Sequence, residues 1–320
     1  MIGTVAVTFS TDGGETLAPV VGPPPDNVTY SLDVATGPQP NLLYAQSNGT
    51  LIRSMNSGCD WEDVATAPDA SRLFSAGPDL VYGLGMAGGL FRYSKLGLVQ
   101  LYDQGPSGYS IESLLVLPTD GSHLLFASDG AVYESMDGGA SFDLVSKSIG
   151  HDRFTFSSID GQFLVARAFS AEGESLETSH DRGLTWQLSD IAMGEYTIVD
   201  SAISAVDPAV IWTLARRISD QSNTLFYSGD GGASFKAVLI EPDGEPYALN
   251  NGVLTPSPFE ASRGVIVGSK ARNRTISTFD AATSALTVHA HPDTLAGRVV
   301  FSPVGPSVFY VPLSYIGHTN

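Results

Sequence analysis

One octet returns along this 320-residue chain, reading SMDGGASF at 135–142 and SGDGGASF at 228–235. Reduced to Ser-x-Asp-x-Gly-x-x-aromatic, it recurs at Ser135/Asp137/Gly139/Phe142, Ser179/Asp181/Gly183/Trp186 and Ser228/Asp230/Gly232/Phe235. Ser10/Asp12/Gly14 carries the pattern with Leu17 in the aromatic place, and Ser54/Asn56/Gly58/Trp61 carries it with Asn for Asp. Average residue usage would place the Ser-x-Asp-x-Gly core in such a chain about 0.1 times by chance. The pattern is therefore a repeat, and a repeat dictates architecture before any other signal does.

Its spacing completes the set. The 81-residue gap between Ser54 and Ser135 is about twice the others, so a worn copy is expected near Ser94, between GLFRY and LVQLYD. One further step of 49 beyond Ser228 reaches Ser277 in TISTFDAATSALTV, where the Asp and Gly are lost. Seven starts result, at Ser10, Ser54, Ser94, Ser135, Ser179, Ser228 and Ser277, with steps of 40 to 49 residues. The intervening segments are short Val/Ile/Leu/Phe/Tyr runs bounded by Gly, Pro, Asn and Asp, with no helical period. A period of this length built from such strands is that of a four-stranded propeller blade. In the second repeat the strands read VTYSLDV, NLLYAQS and TLIRSM, and the motif then leads to WEDVAT. The fold expected is all-β: a single seven-bladed β-propeller over residues 1–320, the motif turning each third strand into its fourth.

The two ends fit one shared blade. TVAVTFS and TLAPVV at the start supply a third and a fourth strand, and RVVFSPV and SVFYVPLSYI at the end supply two more. Closure by both termini removes an unpaired edge, and a complete monomeric domain is expected.

The octet resembles the Asp-box, or BNR repeat, of sialidases, xyloglucan-degrading glucanases, sortilin-type receptors and a photosystem assembly factor. Its residues also have a local reading. The carboxylate of Asp12, Asp137, Asp181 or Asp230 accepts backbone N–H groups inside a tight turn, as does the Asn56 oxygen, and the serine hydroxyl assists. Gly14, Gly58, Gly139, Gly183 and Gly232 supply a positive φ. The eighth-place aromatic packs between blades. The octets are structural on this reading, and each lost cap costs about 1 kcal/mol.

The resemblance implies that ligands bind on the opposite face, where the loops from fourth to next first strand meet those between second and third strands. The binding residues expected there are Arg72, Tyr109, Arg153, Tyr196, Arg216, Arg272 and His291. Should the protein be a glycoside hydrolase, with two carboxylates flanking the bond, the candidates are Asp69, Asp103, Asp152, Glu195 and Asp293. A sialidase is disfavoured, because the Arg-Ile-Pro signature is missing and seven repeats are counted against that family's six.

The remaining signals narrow the classes. The net charge of −18, from 34 acidic and 16 basic residues, excludes a polyanion partner. Gly83-Leu-Gly85-Met-Ala-Gly88 is followed by a strand pattern, so it makes no phosphate cradle. His289 and His291 with Asp293 lack a third nitrogen or sulfur ligand, and no metal or cofactor is expected. Cys59 is the only cysteine, so no intrachain disulfide exists. No run is long and apolar enough for a membrane span. The low lysine content and the Ser/Thr/Gly-rich surface point to a bacterial extracytoplasmic protein, secreted, periplasmic or surface-tethered. The function expected is a non-enzymatic recognition or scaffolding propeller that binds a protein segment or glycan at the loop face. The alternatives are a xyloglucanase-like glycoside hydrolase and an assembly factor for a membrane complex.

Overall fold

The computed structural model describes residues 5–20, 34–36, 39–47, 49–67, 70–85, 89–102, 111–191, 194–241, 249–270, 273–291, 294–296 and 298–315. Every regular element among them is a β-strand, arranged in seven antiparallel sheets that are the blades of a β-propeller. The chain divides into two compact units, one of residues 1–110, 272–274 and 289–320, the other of 111–271 and 275–288.

In the first unit, the strand Val5–Ser10 pairs on one side with Ala18–Pro19 and on the other with Phe309–Tyr315. The two chain ends thus share a blade, as their strand patterns suggest. Its innermost strand is interrupted, because Thr294–Ala296 and Val300–Phe301 both pair with Phe309–Tyr315. The second blade runs Val34–Thr36, Leu43–Ser47, Thr50–Ser54 and Glu62–Thr66, and the third Ala70–Gly77, Leu80–Gly85, Leu90–Ser94 and Gly97–Tyr102. Most of the first strand expected for the second blade, VTYSLDV, lies outside the described residues, which resume at Val34.

The second unit holds four blades in simple up-and-down order. Their second strands are covered on both faces: Leu124–Ser128 is buried throughout, and Ile211–Arg217 is buried for its first five residues. That is why they read as unbroken apolar runs rather than alternating ones. The outer strand Asp143–Lys147 is largely exposed and correspondingly polar. Neighbouring blades bury apolar clusters between them, such as Phe163, Val165 and Leu176 of one blade with Ile198, Ile211 and Phe226 of the next.

Four of the five octets share one geometry. In the fourth blade the Ser135 hydroxyl donates to Asp137 Oδ1 at 2.8 Å and accepts the Gly139 N–H at 2.8 Å. Asp137 in turn accepts the Ser141 N–H at 2.9 Å and the Ser141 hydroxyl at 2.7 Å. The same bonds recur through Ser10/Asp12/Thr16, Ser179/Asp181/Thr185 and Ser228/Asp230/Ser234. A hydroxyl at the seventh place is therefore part of the motif, although the Ser-x-Asp-x-Gly core does not include it. In the Asn56 copy the roles reverse: Asn56 Nδ2 donates to Asp60 Oδ2 at 2.8 Å, while its oxygen accepts the Asp60 N–H. The donor has moved to the third place and the acceptor to the seventh.

These bonds depress the motif carboxylates. The hydroxyls of Ser141 and Ser234, followed by their N–H groups, lower Asp137 and Asp230 to about 2. Thr16 and Thr185 lower Asp12 and Asp181 in the same way. The motif glycines do two jobs. Gly232 has φ +88°, and a Cβ there would meet Thr178 Cγ2 of the preceding blade at 2.4 Å. The eighth-place aromatics Trp61, Trp186 and Phe235 each pack against a cluster drawn from two successive blades.

The worn copies differ from each other. Ser94 ends its strand as the motif serines do, but a two-residue turn of Lys95 and Leu96 replaces the octet. Ser277 is not at a turn. It is buried inside the strand Asn273–Asp280, and the turn opens three residues later, after Asp280. Spacing alone misplaces it, because the octet that would pin the turn is gone.

Candidate functional site

In the second unit, several described turns at the ends of the blades opposite the octets are joined by backbone bonds. The stretch 148–150 meets the hairpin at 169–173 through the Phe169 N–H, which donates to the Gly150 carbonyl at 2.9 Å. Gly194 donates to the Glu174 carbonyl at 3.2 Å, and Ile218 to the Glu195 carbonyl at 2.9 Å. The strands explain the turns. Leu164–Ser170 and Gly173–Ser179 pair up to Ser170↔Gly173, so only Ala171 and Glu172 cross the tip.

Two of the expected residues, Asp152 and Arg153, lie side by side on this face. Asp152 is gripped by Arg167, whose Nε and Nη2 reach its two oxygens at 2.7 and 2.5 Å. Arg167 also lies 3.8 Å from Glu174 and packs over the Phe169 ring at 4.6 Å. The Asp152 partnership, ahead of Glu174 and Glu112, raises Arg167 further above its ordinary value. Glu174 accepts the Ile198 N–H. Arg153 sits in an irregularity of the ladder with φ +51°, an uncommon backbone conformation for a non-glycine residue. Its N–H donates to Glu112 Oε2 at 3.1 Å, and its guanidinium donates to the Val199 and Ile198 carbonyls at 2.8 and 3.4 Å. Partial burial of its carboxyl, reinforced by the Asp152 charge, raises Glu112; the Arg153 N–H opposes the shift.

The next blade carries a second polar group. Arg216 donates to the side-chain oxygens of Asn250, Asn251 (3.1 Å) and Asn223 (3.3 Å). Arg217 donates through Nη2 to the Tyr196 hydroxyl at 2.8 Å. Tyr196 is not a free binding residue: it is 8% exposed and belongs to the apolar cluster between blades, its hydroxyl held by Arg217. Glu195 is exposed at the turn.

The other expected residues lie elsewhere. In the first unit, His291 Nε2 is 2.9 Å from the carbonyl oxygen of Gly14, so it contacts an octet turn and not a loop-face ligand position. Arg72 is half-buried within the strand Ala70–Gly77, in register with Leu84. Asp69, Asp103, Tyr109, Arg272 and Asp293 lie outside the described residues. So does the stretch 242–248 that follows Glu241, which takes most of EPDGEP with it. Among the described residues no cluster of three metal-ligating side chains occurs, and no helix is long and apolar enough to cross a membrane. Glu112, Arg167, Glu174, Asn250 and Asn251 are the members of the site that residue patterns did not single out. Arg167 had one signal, a lone charge at the middle of the apolar strand LVARAFS.

No family model matches the chain. It is similar to the dispase autolysis-inducing protein of Streptomyces mobaraensis, with 29% identity over 98% of this chain and 88% of that one. Among solved structures it is similar to the GH74 xyloglucanase of Xanthomonas campestris, with a TM-score of 0.63 and 14% identity. That likeness covers 97% of this chain but only 56% of the xyloglucanase chain. YCF48 of Cyanidioschyzon merolae is similar over 97% of this chain and 98% of its own, with a TM-score of 0.60 and 11% identity. At such identities the structural likenesses speak for the fold, and the fold they share with this chain is the β-propeller.

Proposed function

We propose that this chain is a non-enzymatic recognition propeller whose partner is a protein, and that the partner is a protease whose self-cleavage it promotes. One observation carries the reading. The Streptomyces mobaraensis relative, named for inducing the autolysis of dispase, matches along nearly the whole of both chains. A match of that extent concerns the full blade set and not one motif.

Two of the described loop-face carboxylates are held in a way that suits binding more than hydrolysis. A glycosidase needs one carboxyl free to protonate the leaving group and another free to attack or to activate water. Asp152 is held by two short bonds from Arg167, and Glu174 by Arg167 and the Ile198 N–H. Arg153 and Arg216 are engaged by backbone carbonyls and asparagines. These groups brace the turns of one face, which suits a rigid docking surface.

The test is direct. Dispase incubated with the purified chain should lose activity on casein faster than dispase alone, with its own fragments appearing by mass spectrometry. An unchanged dispase half-life at a tenfold molar excess of the chain would refute the reading.

A further inference from the structure

In the third blade a pocket stands where the others carry an octet. The fourth place of an octet donates its N–H to the hairpin between first and second strands, as Gly138 does to Ser122 and Gly231 to Ala209, both at 2.8 Å. The third blade instead turns within two residues at both places, since Gly77 pairs with Leu80 and Ser94 with Gly97. Leu80 also pairs with Ser94, so the two turns stand side by side. A solvent-open pocket of about 430 Å³ lies there, lined by residues 77–80 and 94–96. That volume is within the range of binding pockets.

The polar groups of the pocket are engaged by the chain itself. The Pro78 carbonyl accepts the Tyr44 hydroxyl and Arg53 Nη1, the latter at 2.5 Å, and the Ser94 hydroxyl accepts the Leu96 N–H at 3.3 Å. Asp79 holds Arg53 at 3.1 Å and Lys95 at 3.2 Å. What the lining offers an occupant is apolar, from Pro78, Leu80 and Leu96.

The same turns carry side chains that match this lining. Leu96 is 96% exposed at the rim. The Lys95 side chain is 78% exposed and is the movable half of its ion pair, because Asp79 keeps Arg53 whichever lysine it takes. An exposed apolar knob, an apolar pocket, one acid and one base within one patch meet the condition for an isologous contact, in which residue i meets j and j meets i across a twofold axis. The two turns and the side chains ion-paired to them sum to zero charge, Asp79 against Lys95 and Glu62 against Arg53. Two copies therefore do not repel at this patch, although the whole chain carries −18. We propose that a second copy of the chain docks here, Leu96 of each copy entering the pocket of the other and Lys95 of each pairing with Asp79 of the other. The contact uses the blade ends that carry the octets, and it is independent of the function proposed above.

Sedimentation velocity tests the proposal. A contact this small belongs among weak interfaces, so dimers are expected at about 200 μM and monomers at about 1 μM. Leu96→Asp, at a position already in water, should keep the melting curve and weaken dimerisation at least about tenfold. Lys95→Asp and Asp79→Lys should each be monomeric alone, and an equimolar mixture of the two should dimerise, because each copy then supplies the charge that the other has lost. Ile149→Asp, on an equally exposed residue at the opposite end of a blade, should dimerise like the parent. A parent that stays monomeric at the higher concentration overturns the proposal. So does a Leu96→Asp variant that dimerises like the parent, or a mixture of the charge variants that does not associate.

Discussion

Asn56 is the one full octet position that departs from Asp, and restoring the consensus there should weaken the protein. Asn56 Nδ2 donates to Asp60 Oδ2 at 2.8 Å, in the place where the other octets set a hydroxyl against the carboxylate. Asn56→Asp removes that donor and brings two carboxylates to hydrogen-bonding distance. The lost bond is worth about 1 kcal/mol. Two charges about 3 Å apart in water repel by about 1.4 kcal/mol, less once salt and side-chain motion separate them. The sum is a destabilisation of roughly 1 to 2 kcal/mol, read from urea denaturation midpoints at constant slope. Asp60→Ser on the same background rebuilds the hydroxyl pair and should recover most of the loss, so a double-mutant cycle gives the coupling directly. Lowering the pH to about 3 should shrink the penalty, because one protonated carboxyl can donate to the other. A variant Asn56→Asp as stable as the parent at pH 7, or one that Asp60→Ser does not rescue, would refute the donor–acceptor exchange.

Other outcomes follow from the same geometry. Gly232→Ala should cost about 2 to 4 kcal/mol, from its positive φ and its clash with Thr178, and Thr178→Ser should return only the steric part. Ser228→Ala removes the acceptor of the Gly232 N–H and should cost about 1 to 3 kcal/mol in the same denaturation assay. Asp137 and Asp230 are lowered to about 2, so their contribution is complete above the ordinary carboxylate range and lost as pH falls from about 4 towards 2. Circular dichroism should therefore show the parent folded at about pH 3.5, with Asp230→Asn losing its share of acid dependence. Arg167→Met leaves Asp152 and Glu174 without their cation and should lower the melting temperature more at about pH 7 than at about pH 4.

The blade count is legible in the sequence because each octet is local. Its serine hydroxyl bonds a glycine N–H four residues on, and its carboxylate bonds a residue four further from itself, so one short string contains the whole device. Where the octet is lost, legibility goes with it, and Ser277 falls inside a strand. The loop face obeys different rules. Arg167 meets Asp152 only because their strands pair, and Arg153 reaches Val199 across 46 residues to the next blade. Tyr196 and His291 illustrate the remaining difficulty. Both sit at strand ends that read as loop residues, yet the first is covered by its apolar neighbours and the second turns to a carbonyl of an octet.

The difference between the two kinds of turn bears on function. An octet satisfies its own polar groups and presents small residues, so a partner finds few unmet donors or acceptors there. On the loop face several polar side chains are also satisfied, but by bonds that tie one blade to the next, as from Arg153 to Val199. Exposed there are the acidic Glu172 and Glu195 and the apolar Ile149, Phe169 and Ile218, the last three with half or more of their surface in water. Such a face combines braced turns with uncovered apolar side chains. It is well equipped to be covered by another protein surface, since the polar groups need not be stripped of partners when water leaves.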